Sequence, residues 1–313
     1  MAPRVTVLLA LYDGLPHLEA QLQSYVDQYL RPIHVLASDD RPGDGTAAAF
    51  ETFAATAPAG CHWQLITGPQ QGLTANFLHL LAAVDAEATD FVALSDQDDI
   101  WLPEKLESAV TLITETTSEN TEQPILLGTR SWEWQDRTDI RRLSRPIPGP
   151  LDFTHALAQN FAGGNTMVLN RAALKLVQSA LPHLPEPALH DWWIYQLISG
   201  AGGRVILDPE PRILYRQHGR NQVGANTGFP AKIARIRRAI SGTYRGWIDQ
   251  NLAALQAHPD LLTSEARALT EGLAQARKAP LRQRLSFLRH SRLHRKGWAN
   301  QLALWVAAAL RRM

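Results

Sequence analysis

Cysteine is almost absent from this chain, because Cys61 is the only one among 313 residues. A single thiol cannot form an intramolecular disulfide, and it cannot supply the clustered thiolates of a structural zinc site. Disulfide-rich secreted domains and thiolate zinc modules are therefore excluded. The sequence favours a reducing compartment, so we expect a cytoplasmic location.

Long apolar runs are also missing. The longest candidate, Leu302–Leu310, is far shorter than the roughly 20 apolar residues that span a bilayer. The early run Val5–Leu11 leads into Tyr12-Asp13-Gly14 and lacks the small-residue site at which a signal peptide is cleaved. We therefore expect neither a membrane-spanning helix nor a signal peptide in this sequence.

The chain has little net charge, with 31 Lys and Arg against 30 Asp and Glu. The two signs are nevertheless unevenly distributed. Residues 230–313 hold 16 Lys and Arg against 4 Asp and Glu, a net charge of +12, whereas the preceding residues carry −11. A basic tail on an acidic body predicts an anionic surface or partner for the tail.

Strand and helix patterns alternate through the first hundred residues. Continuous apolar runs predict buried strands at Val5–Leu11, Ile33–Ala37, Trp63–Thr67 and Phe91–Leu94. Apolar residues at helical spacing predict helices between these strands. The alternation predicts an α/β fold, Rossmann-like, with a mostly parallel sheet flanked by helices.

The rest of the chain is less regular. Short strands are predicted at Ile125–Leu127, Thr166–Leu169, Val205–Leu207 and Ile213–Tyr215, and a helix at Asp191–Ser199. Beyond Pro230 the pattern becomes Arg-rich, Ala/Leu-rich and helical.

These patterns suggest where the chain divides. We predict one domain at 1–228, with halves at about 1–115 and about 116–228. A basic helical region at 229–313 follows it.

The strongest chemical signal is the acidic run Asp96-Gln97-Asp98-Asp99 at the carboxyl end of a predicted strand. In open α/β sheets, ligands bind at that end. Carboxylates this close repel one another, and a cation such as Mg²⁺ or Mn²⁺, which prefers oxygen ligands and phosphates, relieves the repulsion. The alternative is a polar loop in which Asp99 caps the helix predicted to begin at Pro103. The strand-end position favours a metal site.

A second acidic pair, Asp39 and Asp40, follows the strand predicted at Ile33–Ala37. Asp39 suits an acceptor of hydrogen bonds from a nucleobase N–H or a ribose hydroxyl. For Asp40 and Asp44, the surrounding Pro and Gly residues favour turn chemistry. Two acidic strand ends in one sheet predict a shared cleft.

Asp191 lies between His190 and Trp192 at a predicted helix start. The helix dipole stabilises a carboxylate there, and such a carboxylate can act as the general base for an acceptor hydroxyl. Trp192 and Trp193 offer apolar surface to a sugar. The alternative is an ordinary N-cap beside core tryptophans.

Two weaker candidates remain open. His218 lies between Arg216 and Arg220, a pattern that suits a diphosphate or metal contact, but a surface histidine is the alternative. Asn165 follows two glycines and suits either an acceptor contact or a turn at a strand entry.

The basic tail has two interpretations, since its Arg residues are interleaved with Ile, Leu, Phe and Trp. Amphipathic basic helices lie on anionic membranes, which would place the protein at the inner face of the cytoplasmic membrane. The alternative is a helical bundle packed on the preceding domain. Nucleic acid is not expected as a partner, because the body is acidic and carries no nucleic-acid motif.

Several of these stretches occur together in a known family. The chain resembles family 2 glycosyltransferases, which have the GT-A fold. The resemblance rests on Leu11-Tyr12-Asp13-Gly14, Ser38-Asp39-Asp40, Gly72-Leu73-Thr74-Ala75-Asn76-Phe77, Leu94–Trp101, His190-Asp191 and Tyr215–Gly219. Through Ser95–Trp101, His190–Trp193 and Tyr215–Gly219 it is similar to bacterial rhamnosyltransferase-like enzymes of surface-polysaccharide synthesis.

The resemblance implies a role for each candidate. The donor nucleotide is expected to contact Tyr12, Asp39, Gly72, Asn76 and Asp96. Metal ligation is expected from Asp96, Asp98 and His218, and general-base catalysis from Asp191. The expected acceptor contacts are Asn165 and Trp192.

The resemblance also implies an inverting, metal-dependent transfer of a single sugar. The donor would be a nucleotide sugar, with dTDP-rhamnose as one candidate, and the acceptor a glycan or lipid-linked glycan. The chain lacks the Arg often found just before the residue equivalent to Asn76, and the Gln-x-x-Arg-Trp motif of processive members. The second absence suggests additions of one or a few sugars.

Two other functions remain as alternatives. A sugar-nucleotide nucleotidyltransferase would need an early glycine-rich loop with Arg or Lys, which Leu11–Pro16 does not provide. A non-catalytic carbohydrate-binding protein would not need the clustered carboxylates.

Overall fold

The structure, a computed structural model, describes residues 2–116, 122–146, 149–217 and 242–313. Its first hundred residues alternate between strands and helices, as predicted. The strands are β1 (Val5–Leu11), β2 (His34–Asp39), β3 (His62–Thr67) and β4 (Phe91–Ser95). The intervening helices are α1 (Leu15–Val26), α2 (Thr46–Thr56) and α3 (Leu73–Ala83).

The other elements follow in chain order. The strands are β5 (Ile100–Trp101), β6 (Ile125–Gln135), β7 (Ile140–Leu143), β8 (Val168–Asn170) and β9 (Arg204–Arg216). The helices are α4 (Lys105–Thr116), α5 (Phe153–Ala156), α6 (Arg171–Ala180), α7 (His190–Gly200), α8 (Thr243–Ala257), α9 (Ser264–Lys278), α10 (Leu281–Ser291) and α11 (Trp298–Ala309).

Within the described residues, nine strands form one sheet in the order β3-β2-β1-β4-β8-β6-β9-β5, with β7 paired to β6. The strands β3, β2, β1 and β4 are parallel, so that Leu8 of β1 pairs with Leu36 on one side and Leu94 on the other. Strand β8 runs antiparallel to both β4 and β6. The predicted α/β class is confirmed, and the predicted parallel pairing is present among β3, β2, β1 and β4.

Strand β1 shows why the core forms around the parallel strands. All seven of its residues are buried, and successive side chains of a strand point to opposite faces of the sheet. Val7 and Leu9 belong to a core with Leu22 of α1 and Phe50 of α2. Helix α3 packs against the same strand and buries Phe77. A strand buried on both faces requires the continuous apolar run seen in the sequence.

Strand β9 differs from its prediction, because one strand replaces the two short ones expected at Val205–Leu207 and Ile213–Tyr215. Pro209 and Pro211 interrupt the apolar pattern and cannot donate to a strand partner. The carboxylate of Asp208 accepts from the Glu210 N–H at 2.9 Å and from Arg212 Nε at 2.8 Å. These local bonds hold the proline-containing stretch extended.

The chain divides into two compact units. Unit 1 comprises Met1–Pro146, Ala162–Leu181 and Ile206–Gly224, and unit 2 comprises Ile147–Phe161, Pro182–Val205 and Ala225–Met313. The predicted boundary between residues 228 and 229 lies outside the described residues, so that division stays a prediction. None of the helices in the described part of the chain is long and apolar enough to cross a membrane.

Candidate active site

Three carboxylates gather where β4 ends. Oxygen atoms of Asp96, Asp98 and Asp99 all lie within 4.8 Å of one another. Asp96 and Asp98 are partly exposed, whereas Asp99 is fully buried. Because carboxylate oxygens are the ligands that Mg²⁺ and Mn²⁺ prefer, this donor set fits a hard divalent cation.

Asp99 supports the cluster from beneath and does not cap a helix. Its two oxygens accept from Asn165 Nδ2 at 2.6 Å and from the Arg216 backbone N–H at 3.1 Å. Burial raises the pKa of Asp99, and the charge of Asp98 raises it further, against these two hydrogen bonds. The capping alternative for Asp99 is therefore wrong, because its oxygens bind residues distant in sequence.

A buried lysine lies behind the same loop. Lys105 of α4 has no exposed surface; its ammonium group lies 4.5 Å from the Trp101 ring centroid and donates to the Asn165 carbonyl at 3.3 Å. Burial lowers the pKa of Lys105, while the charges of Asp99 and Asp208 oppose the shift. Lys105 thus holds the backbone of Asn165, whose side chain binds Asp99, and the sequence analysis missed this because nothing in a helix-start lysine signals burial.

The side chain of Arg216 holds the acidic loop, residues Asp96–Asp99, by a hydrogen bond to the backbone of that loop. Its Nε donates to the Asp98 carbonyl at 2.9 Å, and its guanidinium also pairs with Asp136 and lies 4.5 Å from the Trp134 ring centroid. The side chain is only 5% exposed. Arg216 therefore fixes the loop that carries Asp98. The diphosphate contact that the sequence suggested for the segment around His218 stays a prediction.

The end of β2 carries the second acidic pair. Asp39 is buried and accepts from the Arg41 N–H at 3.1 Å. Burial raises the pKa of Asp39, partly offset by that hydrogen bond, and the charges of Asp44 and Asp40 raise it further. Asp40 accepts from the N–H groups of Gln70 at 2.5 Å and Gly72 at 2.8 Å. Asp40 therefore joins its own strand end to a segment some 30 residues away, and does not form the local turn that was predicted for it. Asp44 does show turn chemistry, since its carboxylate accepts from the Thr46 N–H at 2.7 Å.

Gly72 and Asn76 lie beside the end of β2. Gly72 has φ of +93°, a conformation that favours glycine, and it precedes α3. Asn76 is 1% exposed, and its Nδ2 donates to the Ser38 carbonyl at 3.1 Å. The Gly72 contact with Asp40 and the Asn76 contact with Ser38 hold the start of α3 against the end of β2.

Gln97 ties the end of β4 to the end of β1. Its side-chain oxygen accepts from the Tyr12 N–H at 2.7 Å, and its Nε2 donates to the Tyr12 carbonyl. A Cβ added at Gly14 would overlap this amide group, with three of its atoms no more than 3.0 Å away. The Tyr12 side chain remains 53% exposed, with the Arg41 guanidinium carbon 5.3 Å from its ring centroid. The sequence analysis assigned no role to Gln97, because its two partners lie 85 residues away.

Unit 1 thus brings the predicted donor and metal residues to one edge of the sheet. The edge is cross-linked by the Asp40 N–H to the Leu11 carbonyl at 3.0 Å and by the Asp13 N–H to the Asp44 carboxylate at 2.6 Å. These residues, at the carboxyl ends of β1, β2 and β4 and at the start of α3, are Tyr12, Asp39, Gly72, Asn76, Asp96 and Asp98. His218 lies outside the described residues, so its role stays a prediction.

Unit 2 places Asp191 in the first turn of α7. The N-cap of this helix is Leu189, so Asp191 is not the N-cap that the alternative assumed. Asp191 is partly exposed and accepts from the Trp192 N–H at 2.6 Å. Burial lowers the pKa of the adjacent His190 to about 3, which keeps that imidazole neutral near neutral pH. The helix dipole and the hydrogen bond from the Trp192 N–H both stabilise the carboxylate form of Asp191.

The two expected acceptor residues are buried. Asn165 is 5% exposed and bound to Asp99, as described above. Trp192 is 3% exposed; its indole N–H donates to the Ala156 carbonyl at 2.7 Å, and its ring stacks on Tyr244. Both side chains support their own units, and their contact with an acceptor stays a prediction.

Several known proteins are similar to this chain in sequence or in fold. A dTDP-rhamnosyl transferase (RfbG) of Shigella flexneri is 27% identical over 241 residues, which make up 76% of this chain and 81% of that protein. The structure of S. aureus TarS 1-349 in complex with UDP-GlcNAc gives a TM-score of 0.57 at 13% identity, covering 98% of this chain and 90% of that one.

A second solved structure has the same fold. The mannosyltransferase PcManGT of Pyrobaculum calidifontis, in complex with GDP-Man and Mn²⁺, gives a TM-score of 0.52 at 19% identity, covering 100% of this chain and 86% of that one. The family model described as glycosyl transferase family 2 matches residues 6–173, more than half of the chain. This chain therefore belongs to glycosyl transferase family 2.

Proposed function

We propose that this glycosyltransferase moves a single sugar from a nucleotide-sugar donor to a glycan or lipid-linked glycan, with inversion of configuration and with a divalent cation. The observation that carries the proposal is the cluster of Asp96, Asp98 and Asp99, whose oxygens lie within 4.8 Å at a strand end. Ligands of open α/β sheets bind at this edge.

Asp96 and Asp98 are the proposed metal ligands. Both are partly exposed, whereas Asp99 is buried with both oxygens in hydrogen bonds to the protein. Bound there, Mg²⁺ or Mn²⁺ would supply the positive charge that stabilises a departing diphosphate. Asp99, Arg216 and Asn165 would keep the two ligands in position, because they fix the loop on which both lie.

The donor nucleotide is assigned to the neighbouring strand ends. Asp39 would accept an N–H of the base, and Asp96 would accept a ribose hydroxyl as well as contact the cation. The half-exposed ring of Tyr12 would border the base. Gly72 and Asn76 would shape the pocket, since both hold the backbone next to Asp39.

We propose dTDP-rhamnose as the donor. The support is the dTDP-rhamnosyl transferase of Shigella flexneri, which matches this chain over 76% of its length. The base of dTDP presents one imide N–H between two carbonyls, and a carboxylate such as that of Asp39 is an acceptor for this donor.

Asp191 is the proposed general base. Its carboxylate would take the proton of the acceptor hydroxyl while that oxygen forms a bond to the anomeric carbon. The bond from the anomeric carbon to the diphosphate oxygen breaks in the same step, and the nucleoside diphosphate leaves with the electron pair. A single displacement of this kind inverts the anomeric configuration.

The proposal is tested by measuring nucleoside diphosphate release from a set of nucleotide sugars. The set contains dTDP-rhamnose, UDP-GlcNAc and GDP-mannose, each with Mn²⁺ or Mg²⁺ and each with a chelator. We expect release from dTDP-rhamnose to exceed that from the others, and the chelator to abolish it. The anomeric configuration of the glycan product, read by NMR, is expected to be inverted.

Matched variants connect this result to the site. Asp98→Asn removes one proposed ligand, whereas Asp27→Asn changes an exposed carboxylate at the C-cap of α1 and serves as the control. Release that is insensitive to the chelator and equal in the two variants would rule out the metal assignment. A product of retained configuration would overturn the single displacement.

A further inference from the structure

The last helix, α11, exposes an apolar face. At 100° per residue, one side of this helix and its C-cap residue consists of apolar residues that are all exposed to solvent. The large ones are spaced four apart: Trp298 (82% exposed), Leu302 (56%), Val306 (48%) and Leu310 (62%). Ala299, Ala303 and Ala309 lie among them. An exposed helix face without a polar residue marks a surface that binds a partner.

The opposite side of α11 is firmly packed. Leu304 and Ala308 are 1% and 0% exposed. The buried guanidinium of Arg284, on α10, donates to the carbonyls of Ala308 at 2.8 Å and Ala309 at 3.3 Å, so that it caps the end of α11. The helix is therefore fixed in its unit by one face, and the apolar face is left outside.

The surrounding sequence has one sign of charge. Residues 272–313 contain ten Lys and Arg and no Asp or Glu. Five arginines of this stretch are exposed, two in α10, one directly after it and two after α11: Arg282, Arg289, Arg292, Arg311 and Arg312. A second copy of this chain would bring the same positive charge to the contact, whereas a membrane rich in anionic phospholipid offers the complementary charge together with an apolar layer.

We propose that α11 docks this enzyme on an anionic phospholipid membrane, lying in the headgroup boundary with Trp298, Leu302, Val306 and Leu310 inserted. A helix of 12 residues is about 18 Å long, which is too short for a hydrocarbon core of about 30 Å, so α11 lies along the surface. Tryptophan is enriched at this depth of a bilayer. The exposed arginines contact the lipid phosphates.

The test is co-sedimentation of the full chain with vesicles of phosphatidylcholine, with and without phosphatidylglycerol. We expect binding to the vesicles that contain phosphatidylglycerol, and a decrease when the salt concentration rises. The variant Leu302→Ser/Val306→Ser removes two inserted side chains and is expected to lower the bound fraction at least about tenfold. The control Tyr29→Ser, which removes a 71% exposed aromatic from unit 1, is expected to bind as the wild type does.

Both variants change exposed residues outside the proposed active site, so release of nucleoside diphosphate in solution is expected to be unchanged. Equal vesicle binding by Leu302→Ser/Val306→Ser and the wild type would overturn the proposal. So would a wild-type dimer, detected by light scattering, that the same double variant converts to a monomer, because the face would then belong to a second copy. Loss of vesicle binding with normal sugar transfer supports membrane docking even if the proposed donor is wrong.

Discussion

At the scale of single residues, several polar side chains at the edge of the sheet bind backbone groups. Asp40 accepts from Gln70 and Gly72, Gln97 pairs with both backbone groups of Tyr12, and Arg216 donates to the Asp98 carbonyl. These bonds fix the loops on which the proposed ligands lie. The proposed diphosphate site would gain from such pre-organisation, because less conformational freedom has to be lost when the donor binds.

The substitution Gly14→Ala tests whether the hydrogen bonds between Gln97 and Tyr12 organise the site. The added methyl would overlap the Gln97 amide and force it away from Tyr12. Overpacking of this kind costs about 1–3 kcal/mol of stability, and we expect donor affinity, measured by calorimetry with dTDP and Mn²⁺, to fall as well. Gly246→Ala is the control, since nothing lies within 4 Å of its added Cβ. If Gly14→Ala binds dTDP like the control, the Gln97 bridge does not organise the donor site.

Residue types and spacing identified the carboxylates at strand ends, but not the buried residues that hold these carboxylates in place. The runs at Asp39 and Asp96 follow apolar strands and are visible in the sequence. Asn165 binds Asp99 across 66 residues of chain and Arg216 does so across 117. No local pattern signals contacts of that range, so neither hydrogen bond to Asp99 was predicted from the sequence.

At the scale of elements, the parallel half of the sheet was predictable and the antiparallel half was less so. Strand β1 was predicted with its observed bounds, because it is buried on both faces and therefore continuously apolar. Strand β7 was not predicted: its four residues are all exposed and include Arg141 and Arg142, so it shows no apolar pattern. Its existence depends on pairing with β6 after a turn at Asp139, where φ is +48°.

The end of β9 is an element whose role can be measured. Arg216→Lys keeps the positive charge but cannot donate to the Asp98 carbonyl and pair with Asp136 in the same fork geometry. A hydrogen bond involving a charged group contributes about 1.5–3 kcal/mol, so we expect the affinity for dTDP with Mn²⁺ to fall about tenfold or more.

The matched control for this prediction is Arg212→Lys on the same strand, whose partners are Asp208 and Glu104. It is expected to leave dTDP affinity within about twofold of the wild type, since neither partner belongs to the acidic loop. Equal losses in both variants would mean that β9 as a whole, and not the Arg216 contact, supports the site.

At the scale of the whole molecule, the distribution of charge predicted the kind of partner, whereas the short motifs predicted the site residues. The net charge of −11 before residue 230 and +12 from there to the end is invisible in the total of +1. The basic residues alone left two interpretations open, a membrane surface or a packed bundle. In the structure, each interpretation fits one side of α11: the exposed apolar face fits the proposed membrane surface, and the buried opposite face fits a packed bundle. The net charge alone carries no information about the sides of a helix.

The central claim is that one carboxylate of this enzyme acts as the base of a single displacement, and the turnover of Asp191→Asn tests it most directly. The amide keeps the size of the side chain but cannot take the proton, so the turnover number with dTDP-rhamnose is expected to fall by about 10²–10⁴-fold. The affinity for dTDP with Mn²⁺, measured on the same preparation, is expected to match that of the wild type and of the control Asp260→Asn, an exposed carboxylate elsewhere in unit 2. Near-normal turnover of Asp191→Asn would contradict the account, because the acceptor proton would then be taken by another group.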